Sequence, residues 1–160
     1  MRGLSIFVGG VIVGLGVQMA IAQSQNRNVI NMNHVGIAVP DIEAAITYYT
    51  DTLGFPEAFR VTTDSGNIAL VYVQVSENTF LELQPVNANR PAGLSHFGVH
   101  VNDMESMIDT FRQRGADVQD SRASSSGAIL SNVIDPNGIR MELLELPSES
   151  LHRQAMDRWE

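Results

Sequence analysis

The sequence predicts an α+β domain made of two tandem βαβββ modules, on three observations. A segment recurs at a constant offset of 62 residues: Asn33-His34-Val35-Gly36-Ile37-Ala38-Val39-Pro40-Asp41 aligns with Ser95-His96-Phe97-Gly98-Val99-His100-Val101-Asn102-Asp103. Each copy passes from alternation with period two to apolar residues at helical spacing, so a strand leads into a helix. Three short apolar runs, separated by turn-prone residues, follow each helix.

In the first strand Val35, Ile37 and Val39 share one face, and His34, Gly36 and Ala38 share the other. Asp41 is placed to cap a helix whose apolar stripe is Ile42, Ala45, Ile46, Tyr49 and Leu53. Gly54 is placed to stop it in a left-handed conformation. Strands are predicted at Glu57–Thr62, Ile68–Gln74 and Thr79–Gln84, and a linker at Asn87–Pro91. The second module repeats the order. Phe97, Val99 and Val101 lie opposite His96, Gly98 and His100. Asp103 precedes a stripe of Met104, Met107, Ile108 and Phe111, and Gly115 stops it. Strands follow at Val118–Ser121, Ala128–Ile134 and Arg140–Leu146. The last strands also correspond, Phe80-Leu81-Glu82-Leu83 with Arg140-Met141-Glu142-Leu143, at offset 60. The modules therefore span 29–86 and 92–147 of a domain covering 29–147, followed by a polar tail, 148–160. In the tail Leu151, Ala155 and Trp159 fit one face of a docking or dimer-contact helix, and His152 reads as a surface residue.

The N-terminal segment reads differently. Arg2, the apolar run Leu4–Ala22 and the small residues of Ala20-Ile21-Ala22 form a secretory signal peptide, 1–22, cleaved before Gln23. The protein is then periplasmic or secreted. The alternative is an uncleaved membrane anchor, since the run is just long enough to span; this is the one route to membrane contact. Gly9, Gly10, Gly14 and Gly16 argue against a buried core helix, because each costs roughly 1 kcal/mol in a helix interior.

Composition narrows the chemistry. The chain has 160 residues and a formal charge of −8; all ten basic residues are Arg. An acidic chain with no basic run is unsuited to nucleic acid, where phosphate neutralisation dominates affinity. There is no Cys, which removes thiolate catalysis and Cys-ligated metals. The lack of Lys removes Schiff-base chemistry. Carboxylates, four His, hydroxyls and a bound metal remain.

The repeat singles out four of those side chains. His34 and His96 occupy equivalent points on first strands; Glu82 and Glu142 do so on last strands. A lone His on a strand is ordinarily structural, and a lone Glu between leucines ordinarily faces solvent. Two duplicated modules paired about a pseudo-twofold axis bring such equivalents together. Two nitrogens and two oxygens then converge on one divalent ion, with Ni, Co, Zn, Mn or Fe suited to the donor set. His100 shares the face of His96 and is expected to line the cleft.

The segment Met32–Leu146 resembles the vicinal oxygen chelate superfamily, also called glyoxalase/bleomycin-resistance/dioxygenase proteins. The matching motifs are His34-Val35-Gly36-Ile37-Ala38-Val39-Pro40-Asp41, Tyr48-Tyr49 with Leu53-Gly54-Phe55, Ser95-His96-Phe97-Gly98-Val99-His100-Val101, and Asp135-Pro136-Asn137-Gly138-Ile139-Arg140-Met141-Glu142. The resemblance implies that the modules form a cupped mixed sheet around a metal, commonly in a homodimer. His34, Glu82, His96 and Glu142 fill the ligand pattern of glyoxalase I; similar methylmalonyl-CoA epimerases usually carry Gln where this chain has Glu82. The implied activity is an exported metal-dependent lyase or isomerase. It stabilises an enediolate or enolate of a small vicinal-oxygen substrate, with Glu142 or Glu82 as the base. His100, Arg60 and Arg140 are the substrate-side candidates, with Arg122 beside them. Two departures separate the chain from glutathione-dependent members: Ala38 stands where they carry a glutathione-contacting Arg, and Val86 where they carry an Asn. The alternatives are an Fe(II) extradiol-type dioxygenase, against which a fourth carboxylate ligand argues, and a small-molecule binding or resistance protein.

Overall fold

A computed structural model describes residues 28–160, so the signal-peptide segment lies outside the described residues. The described chain runs β1 (Val29–Val39), α1 (Ile42–Thr47), β2 (Glu57–Thr62), β3 (Ile68–Ser76), β4 (Thr79–Pro85), β5 (Gly93–Val101), α2 (Met104–Gln113), β6 (Arg122–Ala123), β7 (Ile129–Ile134), β8 (Arg140–Glu145) and α3 (Leu151–Asp157). Asp41 and Asp103 cap α1 and α2, each accepting from a backbone N–H three residues on at 3.0 Å. Gly54 and Gly115 follow at positive φ, where a side chain would be strained.

All eight strands form one curled mixed sheet in the order β2-β3-β4-β1-β5-β8-β7-β6. The order is its own image about the β1/β5 junction, as a duplicated module requires. β1 pairs parallel with β4 and β5 parallel with β8, while β1 and β5 join the modules antiparallel.

One face of the sheet is covered by the first two helices. Ile46 of α1 packs with Val71, Val73 and Leu83, and Met104, Met107 and Ile108 of α2 pack with Val101 and Leu143. Alternation along the strands sends Tyr72, Phe80 and Leu144 to the inner face. There they meet α3, through Ala155 and Met156.

Two elements depart from expectation. The strand predicted at Val118–Ser121 is a single bridge, Val118 to Val133, and the paired strand is the short β6. The terminal helix exists, but its buried face is His152 and Ala155 rather than Leu151, Ala155 and Trp159. The reason is that α3 packs on the inner face of the sheet through the side carrying His152 and Ala155, while Gln154 and Asp157 stay exposed. It is tethered at its start by Leu151 N donating to Ser126 O at 2.8 Å, and Ser150 caps it.

Candidate metal centre

The two central strands build the site through register. His34 on β1 lies opposite Gly98 on β5, and Gly36 lies opposite His96. Gly36 also pairs with Glu82 on β4, and Gly98 with Glu142 on β8. Each row across the sheet thus reads Glu, Gly, His, and the missing side chain in the middle leaves room for the imidazole. A Cβ on Gly36 would overlap the His96 ring, and one on Gly98 would overlap the His34 ring. The recurring His-x-Gly pattern is therefore a steric device, in which each module's glycine makes space for the other module's histidine. Gly98→Ala should rotate His34 out of place and weaken divalent-metal affinity by at least the roughly 10–100-fold seen when a ligand loses its orienting partner. Titration with Co(II) or Zn(II) checks it, with circular dichroism to show an intact fold.

The four repeat-related side chains meet within one chain. One donor atom from each of His34, Glu82, His96 and Glu142 lies within 4.8 Å of the others, and all four residues are buried. The two Nε2 atoms are 3.0 Å apart. Glu82 Oε2 is 2.9 Å from His96 Nε2 and 3.5 Å from His34 Nε2. Glu142 Oε2 is 3.6 and 3.7 Å from the same nitrogens. Donors held about 2.1 Å from one cation lie about 3.0 Å apart at right angles and about 3.4 Å apart at tetrahedral angles. The observed separations fit that spacing, so this donor set fits a divalent ion.

Surrounding groups orient the donors. Asn33 Oδ1 lies 3.0 Å from His34 Nδ1, which fixes the N–H on that nitrogen and leaves the Nε2 lone pair facing the cluster. Gln84 Nε2 donates to Glu82 Oε1 at 2.6 Å. Ser95 Oγ and Arg140 Nη2 approach His96 Nδ1 at 2.8 and 2.7 Å, and Arg140 Nη1 donates to Glu142 Oε1 at 3.0 Å.

Burial sets the electrostatics. It lowers the His34 pKa to about 4, with Glu82 opposing and His96 and Arg140 reinforcing the shift, so the ring is a neutral ligand at pH 7. Burial also pushes Glu82 up, but hydrogen bonding from His96, the charges of both histidines and the nearby Tyr72 hydroxyl outweigh it, and Glu82 stays below its ordinary value. Glu142 is raised, first by burial and then by the Glu82 carboxylate. The two carboxylates are thereby made unequal.

A cavity of about 240 Å3 opens onto the cluster, lined by Glu82 and Glu142 together with Arg90, Arg122, Arg140 and His152. The sequence-predicted substrate residues divide here. Arg140 is at the site. Arg60 is not: it lies on β2 at the edge of the sheet, exposed, its Nε donating to Glu57 Oε1 at 2.6 Å. His100 is buried between β1 and β8, in register with Asn31 and Leu144, and does not line the cavity. Burial, then the Arg153 charge, holds its pKa down at about 4, so it is a neutral core group.

Several cavity residues escaped the sequence reading, among them Arg90, His152 and Ser124–Ser126. Arg90 sits in the linker after β4, where nothing in a single sequence distinguishes it from a solvated Arg. His152 was assigned to a surface tail, yet it is 1% exposed, because α3 carries it onto Phe59, Tyr72 and Phe80. Its ring centroid is 6.5 Å from that of His34. Burial, then His34, lowers its pKa to about 3, and neither ring nitrogen has a hydrogen-bond partner among the described residues.

Comparison with known proteins agrees with this fold. An ethylmalonyl-CoA/methylmalonyl-CoA epimerase of Cereibacter sphaeroides is 28% identical over 127 residues, covering 70% of this chain and 95% of the epimerase. A Synechocystis protein named "Probable lactoylglutathione lyase" is 26% identical over 125 residues, covering 72% and 95%. Among solved structures, the methylmalonyl-CoA epimerase of Mycobacterium tuberculosis superposes with a TM-score of 0.65 at 23% identity, over 75% of this chain and 91% of that one. A Streptomyces coelicolor methylmalonyl-CoA epimerase gives 0.66 at 19% identity, over 76% and 98%. These likenesses establish the shared fold, and these two of the relatives matched by sequence bear the names of an isomerase and a lyase. Residues 33–129 match the profile of one family, and the chain belongs to it: the Glyoxalase/Bleomycin resistance protein/Dioxygenase superfamily.

Proposed function

We propose that this chain is a divalent-metal-dependent lyase or isomerase that removes a proton from carbon beside a carbonyl in a small vicinal-oxygen substrate. The observation that carries it is the cluster of two imidazole nitrogens and two carboxylate oxygens, from β1, β4, β5 and β8, facing one cavity. A divalent cation held there supplies Lewis-acid stabilisation to negative charge on two neighbouring substrate oxygens. His34 and His96 are the fixed donors, the first locked by Asn33. Glu82 is held by Gln84 and kept ionised. Glu142 is the base: its carboxylate lines the cavity, and its raised pKa brings it closer to the proton it takes. Tyr72, Phe80 and α3 keep water from the inner side of the cluster. The second carboxylate, which makes a fourth ligand, and the epimerase and lyase relatives support this reading over the dioxygenase one. The test is metal analysis of the purified protein, then a screen of α-hydroxy carbonyl and 2-oxo compounds for deuterium exchange in D2O. Absence of bound metal, or of exchange with every compound, overturns the proposal.

Glutathione is not part of this proposal. Ala38 is buried and lies outside the cavity lining, where the resemblance would have placed a glutathione-binding Arg. Metal-loaded protein is expected to turn over glutathione–methylglyoxal hemithioacetal with kcat/KM below roughly 10⁴ M⁻¹s⁻¹, the lower end of ordinary enzymes. A steady-state assay checks this.

Export completes the proposal, supported by Arg2, the apolar run and Ala20-Ile21-Ala22. Protein isolated from its native host should begin at Gln23 on N-terminal sequencing, and an intact Met1 in a cytosolic fraction removes the assignment.

A further inference from the structure

Resting on the metal-dependent reading above, we propose that the cavity takes a small dianion. One end is a vicinal-oxygen head at the four-donor cluster; the other is a second acidic group, carboxylate or phosphate, held by Arg90 and Arg122 with Arg140.

Charge carries the first part of the argument. The chain is strongly acidic, yet three of its ten Arg line this one cavity. Arg60 and Arg112 are ion-paired, with Glu57 and Asp120. Arg90 and Arg122 pair with no carboxylate among the described residues, and Arg90 donates only to the Pro85 carbonyl, at 3.1 Å. Ser124, Ser125 and Ser126 line the same wall and add hydroxyl donors. Glu82 and Glu142 are the acidic groups of the lining, and a divalent cation neutralises both. Arg140 keeps its contact with Glu142 Oε1 at 3.0 Å, but Arg90 and Arg122 have no carboxylate partner among the described residues, and an anion supplies their counter-charge.

Arg140 links the two ends. A guanidinium only donates, so its contact with His96 Nδ1 requires a lone pair there and places the ring proton on Nε2. A cation on Nε2 demands the reverse tautomer. Ser95 Oγ is placed to accept the Nδ1–H that this tautomer would carry, whereas Arg140 could not accept it and would be free to turn toward the cavity it already lines. The repeat position of Arg140 is Phe80, offset 60 like the two glutamates, so the twofold metal site does not call for an Arg there.

Size and closure carry the rest. The volume of about 240 Å3 lies below the roughly 300–1,000 Å3 of pockets that take drug-sized ligands. The helix α3 closes the inner side and presents His152, whose unpartnered ring nitrogens are buried in the lining. This is room for a short diacid.

The experiment uses calorimetry on the cobalt-loaded protein with four probes: glycolate, malate, 3-phosphoglycerate and acetohydroxamate. Glycolate offers the α-hydroxy acid head alone, malate keeps that head and adds a carboxylate, 3-phosphoglycerate keeps it and adds a phosphate, and acetohydroxamate chelates without the second acid. Malate or 3-phosphoglycerate should bind at least about tenfold tighter than glycolate, which one good charge-assisted contact supplies; the tighter of the two identifies the acid. The double variant Arg90→Ala, Arg122→Ala should erase that gain while leaving cobalt and acetohydroxamate binding unchanged, and Arg60→Ala should change nothing. Equal affinity for glycolate and both diacids overturns the inference, as does a gain that survives the double variant. Cobalt and acetohydroxamate binding report separately on the metal reading: their loss in the unmodified protein overturns that reading, and this inference with it.

Discussion

His34→Ala and His96→Ala should each abolish stoichiometric divalent-metal binding while leaving the sheet intact. Loss of an outer partner of a ligand costs roughly 10–100-fold in affinity, and loss of a donor atom removes more. The chemistry left behind makes the effect larger. Glu82 and Glu142 are buried with donor oxygens in the same small cluster, and Glu142 is already raised by its neighbour. With one histidine gone, three donors remain, two of them anionic and repelling each other in a medium that screens weakly. The apolar clusters on the outer face and under α3 are built by other residues, and His34 adds to them one edge-on contact with Tyr72, so the sheet should survive the loss of either ring. Inductively coupled plasma analysis after dialysis gives the occupancy. Thermal melts give a second reading: a ligand at 100 times its Kd stabilises by about 2.7 kcal/mol, and that increment should be present in the parent and absent from both variants. Unchanged metal content in both variants would show that the donors lie elsewhere.

What made these four residues legible from sequence is the duplication itself. A constant offset carries information that no single His or Glu carries, and the pairing of β1 with β5 turns equivalent positions into neighbours. The same argument explains the two glycines, although their purpose is visible only where Gly36 faces the His96 ring. Residues outside the repeat were illegible for the complementary reason. His152, Arg90 and Ser124–Ser126 have no partner at the matching offset and lie in a tail, a linker and a turn. The path of α3 into the cup depends on an inner face of Tyr72, Phe80, Leu130 and Leu144, which becomes one surface only after eight strands have assembled. Arg60 failed in the opposite direction. Charge type suggested an anion contact, but the edge position of β2 gives it Glu57 and solvent instead.

Glu142→Gln should lower deuterium exchange at saturating cobalt by about 10²–10⁴-fold, the ordinary share of a general base and about 2.7–5.5 kcal/mol of barrier. The amide keeps an oxygen donor of the same shape, so metal is retained, but it cannot accept a proton at neutral pH. Glu82→Gln should behave differently. Glu82 Oε1 is engaged by Gln84 at 2.6 Å and Oε2 lies 2.9 Å from His96, so this carboxylate is held from both sides. Its substitution removes charge from the donor set and should appear mainly as weaker metal binding, recovered by adding cobalt. Glu142 is held on one oxygen by Arg140 alone. Glu142 is therefore the carboxyl of the pair with the raised pKa and the fewer anchoring contacts. The split between rate and affinity is therefore the measurement: exchange at saturating metal for one variant, metal affinity for the other. If Glu82→Gln shows the larger loss of exchange at full metal occupancy, the roles of the two carboxylates are reversed. If neither variant loses more than about threefold at saturation, the proton goes to a group outside the cluster. In that case His152, neutral and unpartnered in the same cavity, is the next residue to substitute.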